Sequence, residues 1–437
     1  MSTDVAIGTP PQATTARRGS AFAGAWLVSG AMVASGLLTY GFFVLAARRL
    51  GAEAFGQIAL LWGVMFVAAV MLFRPLEQTI SRETADRIAR GEDAREVTRV
   101  VLGFSATVVV GIVVVGIAAW GPITAGLFGG DATLTALLIT GTVMYGLSYL
   151  VRGMVGGVRW FGGYSLGLVV DAAARLVIAL PLVWTASKGV AAAAIVSAGA
   201  ASALIPLLIG RRRVGEALRT GLEGERFHLG SALAFAAPAS LIAAADQLLI
   251  NGGALLVAID GGPDATAAAG TVFAATILVR APVYVFTGVA ASLLPNLTHL
   301  RAAEERTRFR AAMFRATAVL TGAAALIVAG TWALGPLAMD VLYGAGFEAG
   351  RRELTLLAVG VSVYLLSSTY SQALLALGRA RRAALAWAAS AAVFVGSFFS
   401  QTGTPLERVA FAFVAASLVG LAVLVWGLTS VLRRDRR

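Results

Sequence analysis

SAFAGAWLVSGAMVASGLLTYGFFVLAA, residues 20–47, is a run of 28 residues without a charged side chain, and Arg48-Arg49-Leu50-Gly51 closes it. A helix needs about 20 apolar residues to cross a bilayer core, whereas the apolar core of a secretory signal is only about 7–15 residues long. The stretch therefore reads as a first membrane-spanning helix rather than a cleaved leader. The residues before it, Met1 to Gly19, are polar, carry Thr9-Pro10-Pro11 and end near Arg17-Arg18. They read as a disordered cytoplasmic tail.

Eleven more apolar runs of similar length follow. Together they predict twelve spans, at 20–47, 55–73, 100–120, 133–154, 163–185, 189–210, 230–258, 266–294, 315–338, 354–377, 383–400 and 409–432. The fold class expected is an all-α polytopic membrane protein. Composition agrees: of 437 residues 58% are apolar and only 13% charged, against about 25% charged in ordinary soluble domains. A soluble fold could not coat that much apolar surface with so few polar groups. These figures exclude a soluble enzyme, a disordered chain and a nucleic-acid-binding domain. Cysteine is absent and histidine occurs only at His228 and His299, so thiolate and imidazole metal clusters are not expected.

The net charge of +12 is distributed by side. With the N-terminus in the cytoplasm, 27 of the 35 Lys and Arg residues fall in cytoplasmic segments and six in outer ones, with Arg175 and Arg280 inside spans. This bias orients both termini inward. The segments 82–99 and 301–315 alternate acids and arginines and read as amphipathic helices at the anionic inner leaflet.

The chain also repeats itself. Leu127-Phe128-Gly129 recurs as Leu342-Tyr343-Gly344, Arg74-Pro75-Leu76 with Arg82 as Leu294-Pro295-Asn296-Leu297 with Arg301, and Gly157 with Arg159 as Gly378-Arg379. The shared order and offset predict two six-helix halves, 20–210 and 230–432, joined by a basic linker at 211–229 and followed by a basic tail at 433–437. An even number of spans per half makes this a parallel repeat, with a central cavity between the halves.

Arg48-Arg49-Leu50-Gly51 with Phe55-Gly56 and Leu60 resembles the signature after the first span of polysaccharide exporters. Arg152-Gly153, Gly156-Gly157, Phe161 and Tyr164 resemble their segment after span four. Pro238 with Asp246, Arg280-Ala281-Pro282, the Pro295 exit and Leu342-Tyr343-Gly344-Ala345-Gly346-Phe347 have similar placement. The chain thus resembles, over 20–432, the polysaccharide-biosynthesis and O-antigen flippase branch of the multidrug/oligosaccharidyl-lipid/polysaccharide (MOP) exporter superfamily. Many relatives have fourteen spans; twelve here argue against a lipid II flippase. The resemblance implies a non-enzymatic transporter in a bacterial cytoplasmic membrane, flipping an undecaprenyl-diphosphate-linked glycan by alternating access. It also implies a monomer working in the lipid bilayer beside the glycosyltransferases and polymerase of an assembly system, without nucleic acid or cofactor. Coupling to Na+ or H+ is the remaining option.

Such cargo needs a polar cationic cavity, because a diphosphate buried unpaired in hydrocarbon is very costly, and arginine binds phosphate oxygens in pairs. Intramembrane charges cost about 2.5–3.5 kcal/mol each on insertion scales, so each needs a partner or a function. Asp171 and Arg175 share a helix face; they read either as a structural pair or as a cavity arginine oriented by its neighbour. Arg280 has no acid within four residues. It reads as a diphosphate ligand or as the partner of Asp246. Asp246, with Gln247 and Asn251, is alternatively a cation-coupling site, since related flippases place a sodium site in that helix. Arg74, beside Glu77, and Arg152 read as snorkelling residues or first contacts for incoming phosphate. Arg48 and Arg49 read as contacts for departing phosphate or for headgroups. Gly153, Gly156 and Gly157 read as helix-packing positions.

Two other functions compete. A cation-coupled multidrug (MATE-like) extruder would often carry an acid in the first span, and residues 20–47 contain none. A membrane glycan polymerase would present a larger outer loop than 339–353 and a catalytic acid motif.

Overall fold

The computed structural model describes residues 13–219, 222, 226–262, 264–282 and 306–434. Its helices are α1 (Ala13–Arg90), α2 (Arg95–Ala118), α3 (Trp120–Phe128), α4 (Ala132–Gly157), α5 (Phe161–Ile178), α6 (Leu182–Thr185) and α7 (Lys188–Arg219). After these come α8 (Leu229–Asp260), α9 (Ala265–Arg280), α10 (Arg306–Tyr343), α11 (Arg351–Ala376), α12 (Ala380–Ser400) and α13 (Pro405–Arg434). The only β pairing among the described residues is one bridge, Glu92 to Leu222.

Ten described helices are long and apolar enough to cross a membrane, and α9 is a shorter apolar one. The first of the ten holds two expected spans. Gly51, at φ 75° and ψ 172°, breaks α1 into arms 13–50 and 52–90, a conformation available to glycine at little cost. Eleven of the twelve expected spans therefore lie on described helices, the third across α2 and α3 and the fifth across α5 and α6, and the eighth begins on α9. The end of the span 266–294, the Pro295 exit, Arg301 and the tail residues 1–12 and 435–437 lie outside the described residues.

Two boundaries differ from expectation. The tail expected at 1–19 is helical from Ala13 onward, as the start of α1. The linker expected at 211–229 is helical as far as Arg219, because Arg211 to Arg219 continues α7 with Val214 and Leu218 buried on one face. A third addition is α3, a nine-residue helix in the expected loop, which tolerates Pro122 in its first turn and ends on left-handed Gly129.

The packing of the first seven helices recurs in the rest. The pairs α1 with α5, α5 with α7, α4 with α7 and α2 with α4 are matched by α8 with α12, α12 with α13, α11 with α13 and α10 with α11. Close approach rests on small residues. A Cβ on Gly153 would lie 2.8 Å from the Glu77 carbonyl oxygen, and one on Gly157 would lie 2.7 Å from the Thr84 Cβ. The glycines after span four are thus packing positions, as the sequence reading held. The two groups of helices meet where α1 packs on α8 and α9.

Candidate functional site

A cavity of about 670 Å³ lies between the two groups of helices. Its wall comes from both arms of α1 (Thr39, Tyr40, Phe43, Trp62, Phe66, Arg74, Gln78), from α4 (Tyr149) and from α8 (Asp246, Gln247, Asn251). α9 adds Phe273 and Arg280, α11 adds Tyr364, Ser368, Ser371 and Gln372, and α12 adds Trp387. The ionisable acids and bases on this wall are Arg74, Arg280 and Asp246. Five residues singled out in the sequence, Arg74, Arg280 and the α8 set Asp246, Gln247 and Asn251, thus share one cavity although they come from three helices.

Arg280 is the last residue of α9, followed by a turn at Ala281-Pro282. Proline cannot donate an amide to continue the helix, so the guanidinium sits at the helix's negative end, where a cation is favoured. No described acid lies within ion-pair reach of Arg280, and its Nε is buried without a hydrogen-bond partner. Asp246 is instead engaged by neutral donors. The Tyr364 hydroxyl donates to its Oδ1, and Gln247 approaches Oδ2 at 3.4 Å. Asn251 Nδ2 donates to Gln247 Oε1 at 2.9 Å, completing a polar ladder along α8.

At the Arg74 end of the cavity a second group of charges is packed behind the wall. Glu77 is 5% exposed and accepts from the Tyr164 hydroxyl at 3.2 Å. Its other oxygen is 3.9 Å from Arg74 Nε, an ion pair too long for a hydrogen bond. Arg152 does not line the cavity. Its guanidinium lies over the Tyr149 ring at 4.1 Å, so Tyr149 separates it from the cavity.

Arg175, expected among the substrate-binding residues, is off the wall and fully buried. It bonds Asp171 Oδ2 at 2.5 Å, the Tyr145 hydroxyl at 2.7 Å and Thr39 Oγ1 at 3.0 Å, and lies 4.5 Å over Trp62. Tyr145 in turn donates to Asp171 Oδ1 at 2.7 Å. This network is the paired arrangement of the two alternatives, with the Arg175 Nε left buried and unbonded. Thr39 and Trp62 are cavity-wall residues, so the network braces the wall from behind.

Arg48 is likewise away from the cavity, at the Gly51 end. It donates to the backbone carbonyls of Val341 and Leu342. Phe55 packs edge-on against Phe347 at 5.6 Å, and Phe43 against Phe273 at 5.0 Å. At the same level the backbones of α1 and α9 touch. A Cβ on Gly56 would stand 1.9 Å from the Thr266 carbonyl oxygen, and one on Gly270 would stand 2.4 Å from that of Ala52. Two of the segments that carry the family resemblance, 48–56 and 342–347, therefore meet and close this end of the cavity.

Sequence reasoning missed the aromatic lining and the partners Tyr145, Tyr364 and Thr39. Each is an ordinary span residue until its distant helix is placed beside it. Among the described residues there is no group of three or more His, Cys, Asp or Glu side chains able to hold a metal ion.

No protein-family model and no curated protein matches the chain. Solved structures do. An inward-facing multidrug resistance MATE family transporter of the MOP superfamily superposes with a TM-score of 0.73 at 17% identity, covering 92% of this chain and 96% of that one. An outward-facing transporter of the same description gives 0.66 at 15%, covering 98% and 99%. A MATE protein in a bent conformation gives 0.65 at 15%, covering 98% and 100%. The chain shares the fold of these solved structures and is an all-α polytopic membrane protein.

Proposed function

We propose that this protein is a MOP-type exporter that moves an anionic lipid, a polyprenyl-diphosphate-linked oligosaccharide, between leaflets by alternating access between its two groups of helices. The observation that carries the reading is the charge of the cavity: two arginines and one aspartate line it, and the buried Arg280 Nε lacks a partner. A net cationic wall suits phosphate oxygens. The sugar head would meet Gln78, Gln247, Gln372, Ser368 and Ser371, which offer neutral hydrogen bonds. Closure at the Gly51 end, together with a superposition on an inward-facing transporter, fits a state that loads from the Arg74 end.

The second reading, a cation-coupled multidrug extruder, is favoured by the printed descriptions of the structural neighbours. Phe43, Trp62, Phe66, Phe273 and Trp387 with Asp246 would suit an organic cation. One experiment separates the two. Vesicles holding the purified protein are given a fluorescent polyprenyl-diphosphate sugar or a fluorescent cationic drug under an imposed proton or sodium gradient. Flipping of the lipid without drug movement supports the first reading, and drug movement alone overturns it.

A further inference from the structure

We propose that Glu77 is a built-in counter-anion, which offsets one of the two charges of the Arg74–Arg152 pair until a cargo phosphate takes its place. The proposal rests on the reading of the cargo as a lipid diphosphate. Three observations carry it. First, Glu77 is sealed in protein: tight packing of α4, with Gly153 against its backbone, leaves it 5% exposed. A carboxylate buried this way requires a cation. Second, the pairing is poor on both sides. Glu77 Oε2 and Arg74 Nε are 3.9 Å apart, and both are buried without a hydrogen bond, as is Arg152 Nε. Two arginines that repel each other and one acid leave a net positive charge with three unmet polar atoms. Third, the acid is held back while one arginine faces the cavity. Tyr164 anchors Glu77 Oε1 at 3.2 Å, whereas the Arg74 side chain is 42% exposed and lines the wall.

A carboxylate held at 3.9 Å is close enough to keep the guanidinium in position and too far to satisfy it. A phosphate arriving through the cavity reaches Arg74 from its open side and forms the charge-assisted bonds that Glu77 cannot reach. As cargo leaves, the fixed Glu77 charge competes for Arg74 again and speeds release. Glu77 is thus a positioning residue that sets affinity low enough for turnover.

The test is binding and transport by full-length protein carrying Glu77→Gln, which keeps the shape and an acceptor for Tyr164 and removes the charge. The probes are geranylgeranyl diphosphate and inorganic pyrophosphate, which share the phosphate oxygens. Both are expected to bind about tenfold more tightly than to wild type, while lipid flipping slows, with KM and kcat falling together. Glu77→Asp, which keeps the charge one methylene further from Arg74, is expected to tighten binding about threefold and stands in should Glu77→Gln not fold. Wild type that binds the probes while Glu77→Gln binds them no more tightly overturns this proposal and leaves the function reading intact. Neither protein binding either probe, with both binding a cationic drug, overturns the function reading and this proposal with it.

Discussion

The crossing of Gly56 and Gly270 makes the sharpest demand on the alternating-access reading. Replacing Gly270 with alanine would place a methyl 2.4 Å from the Ala52 carbonyl oxygen, and Gly56→Ala would place one 1.9 Å from that of Thr266. Real contacts to a Cβ are not found below about 3 Å. The two backbones must therefore part by about 0.6 Å in the first variant and about 1.1 Å in the second. No flexible side chain can yield instead, since both obstacles are main-chain atoms. Overpacking of this kind costs about 1–3 kcal/mol. In alternating access the contact exists only while the Gly51 end is closed, so the cost falls on that state alone. A differential of this size shifts a two-state population by about 5- to 150-fold. The chain has no cysteine, so nitroxide pairs can be placed cleanly at Glu53→Cys and Ala345→Cys, on opposite groups of helices at that end. Spin–spin distance distributions in reconstituted protein are expected to gain a longer population with Gly270→Ala and a larger one with Gly56→Ala. Distributions that match the parent while the variants melt earlier would refute the argument, because the glycines would then be packing positions common to every state.

Three further outcomes follow from the site. Arg280→Ala is expected to abolish lipid flipping with membrane insertion intact, and Arg280→Lys to retain part of it; unchanged flipping by Arg280→Ala in vesicles would remove its proposed role. Arg175→Ala is expected to cost about 3 kcal/mol, the low end for a buried pair, since it strands the buried Tyr145 and the partly buried Asp171. Exchange of the two residues, Asp171→Arg with Arg175→Asp, should recover part of the thermal midpoint lost in the single variant. Outside the spans, the hydrogen bond from Lys188 at 2.8 Å holds the Asp131 carboxyl below its ordinary range. A carboxyl lowered on folding adds stability above its unfolded value and loses it as pH falls through the folded one. The wild-type thermal midpoint is therefore expected to drop below about pH 4, and Asp131→Asn, which keeps the helix cap, should show a shallower drop.

Much of the fold was legible because hydropathy is a local quantity summed over a window, and twelve windows stand out from short connections. The end of α7 was not, because Arg211 to Arg213 lower the window average while Val214 and Leu218 still bury one face. The cavity arginines were legible by their isolation. Arg280 lacks an acid within a helical turn, and the fold supplies none from the described helices. Arg175 was ambiguous for the opposite reason. Asp171 is visible four residues away, but Thr39, Trp62 and Tyr145 come from other parts of the chain and decide that its guanidinium turns away from the cavity. Arg48 had no readable partner at all, because its targets are main-chain carbonyls of α10, and a carbonyl carries no side-chain signature.

The internal charges divide the molecule unequally. Among the first seven helices, Asp171 is committed: Arg175 is its partner, and that arginine stays protonated at any physiological pH. An entering cation would have to displace a covalently tethered one. Arg74, Glu77 and Arg152 form a group whose net charge is positive and whose bonds are incomplete. Among the described residues of the later helices, Asp246 accepts from neutral donors, and it sits on the same wall as Arg280, which has no described acid within ion-pair reach. Under the proposed function, a coupling cation would find one carboxylate on the cavity wall, and an anionic cargo would find two guanidinium groups there. Both uses are compatible, since an anion bound between Arg74 and Arg280 and a cation at Asp246 would each lower the electrostatic cost of the other. The same asymmetry bears on the multidrug alternative. A cationic drug would compete for Asp246 against two nearby positive charges, whereas a diphosphate would meet two arginines whose Nε atoms are buried and unbonded.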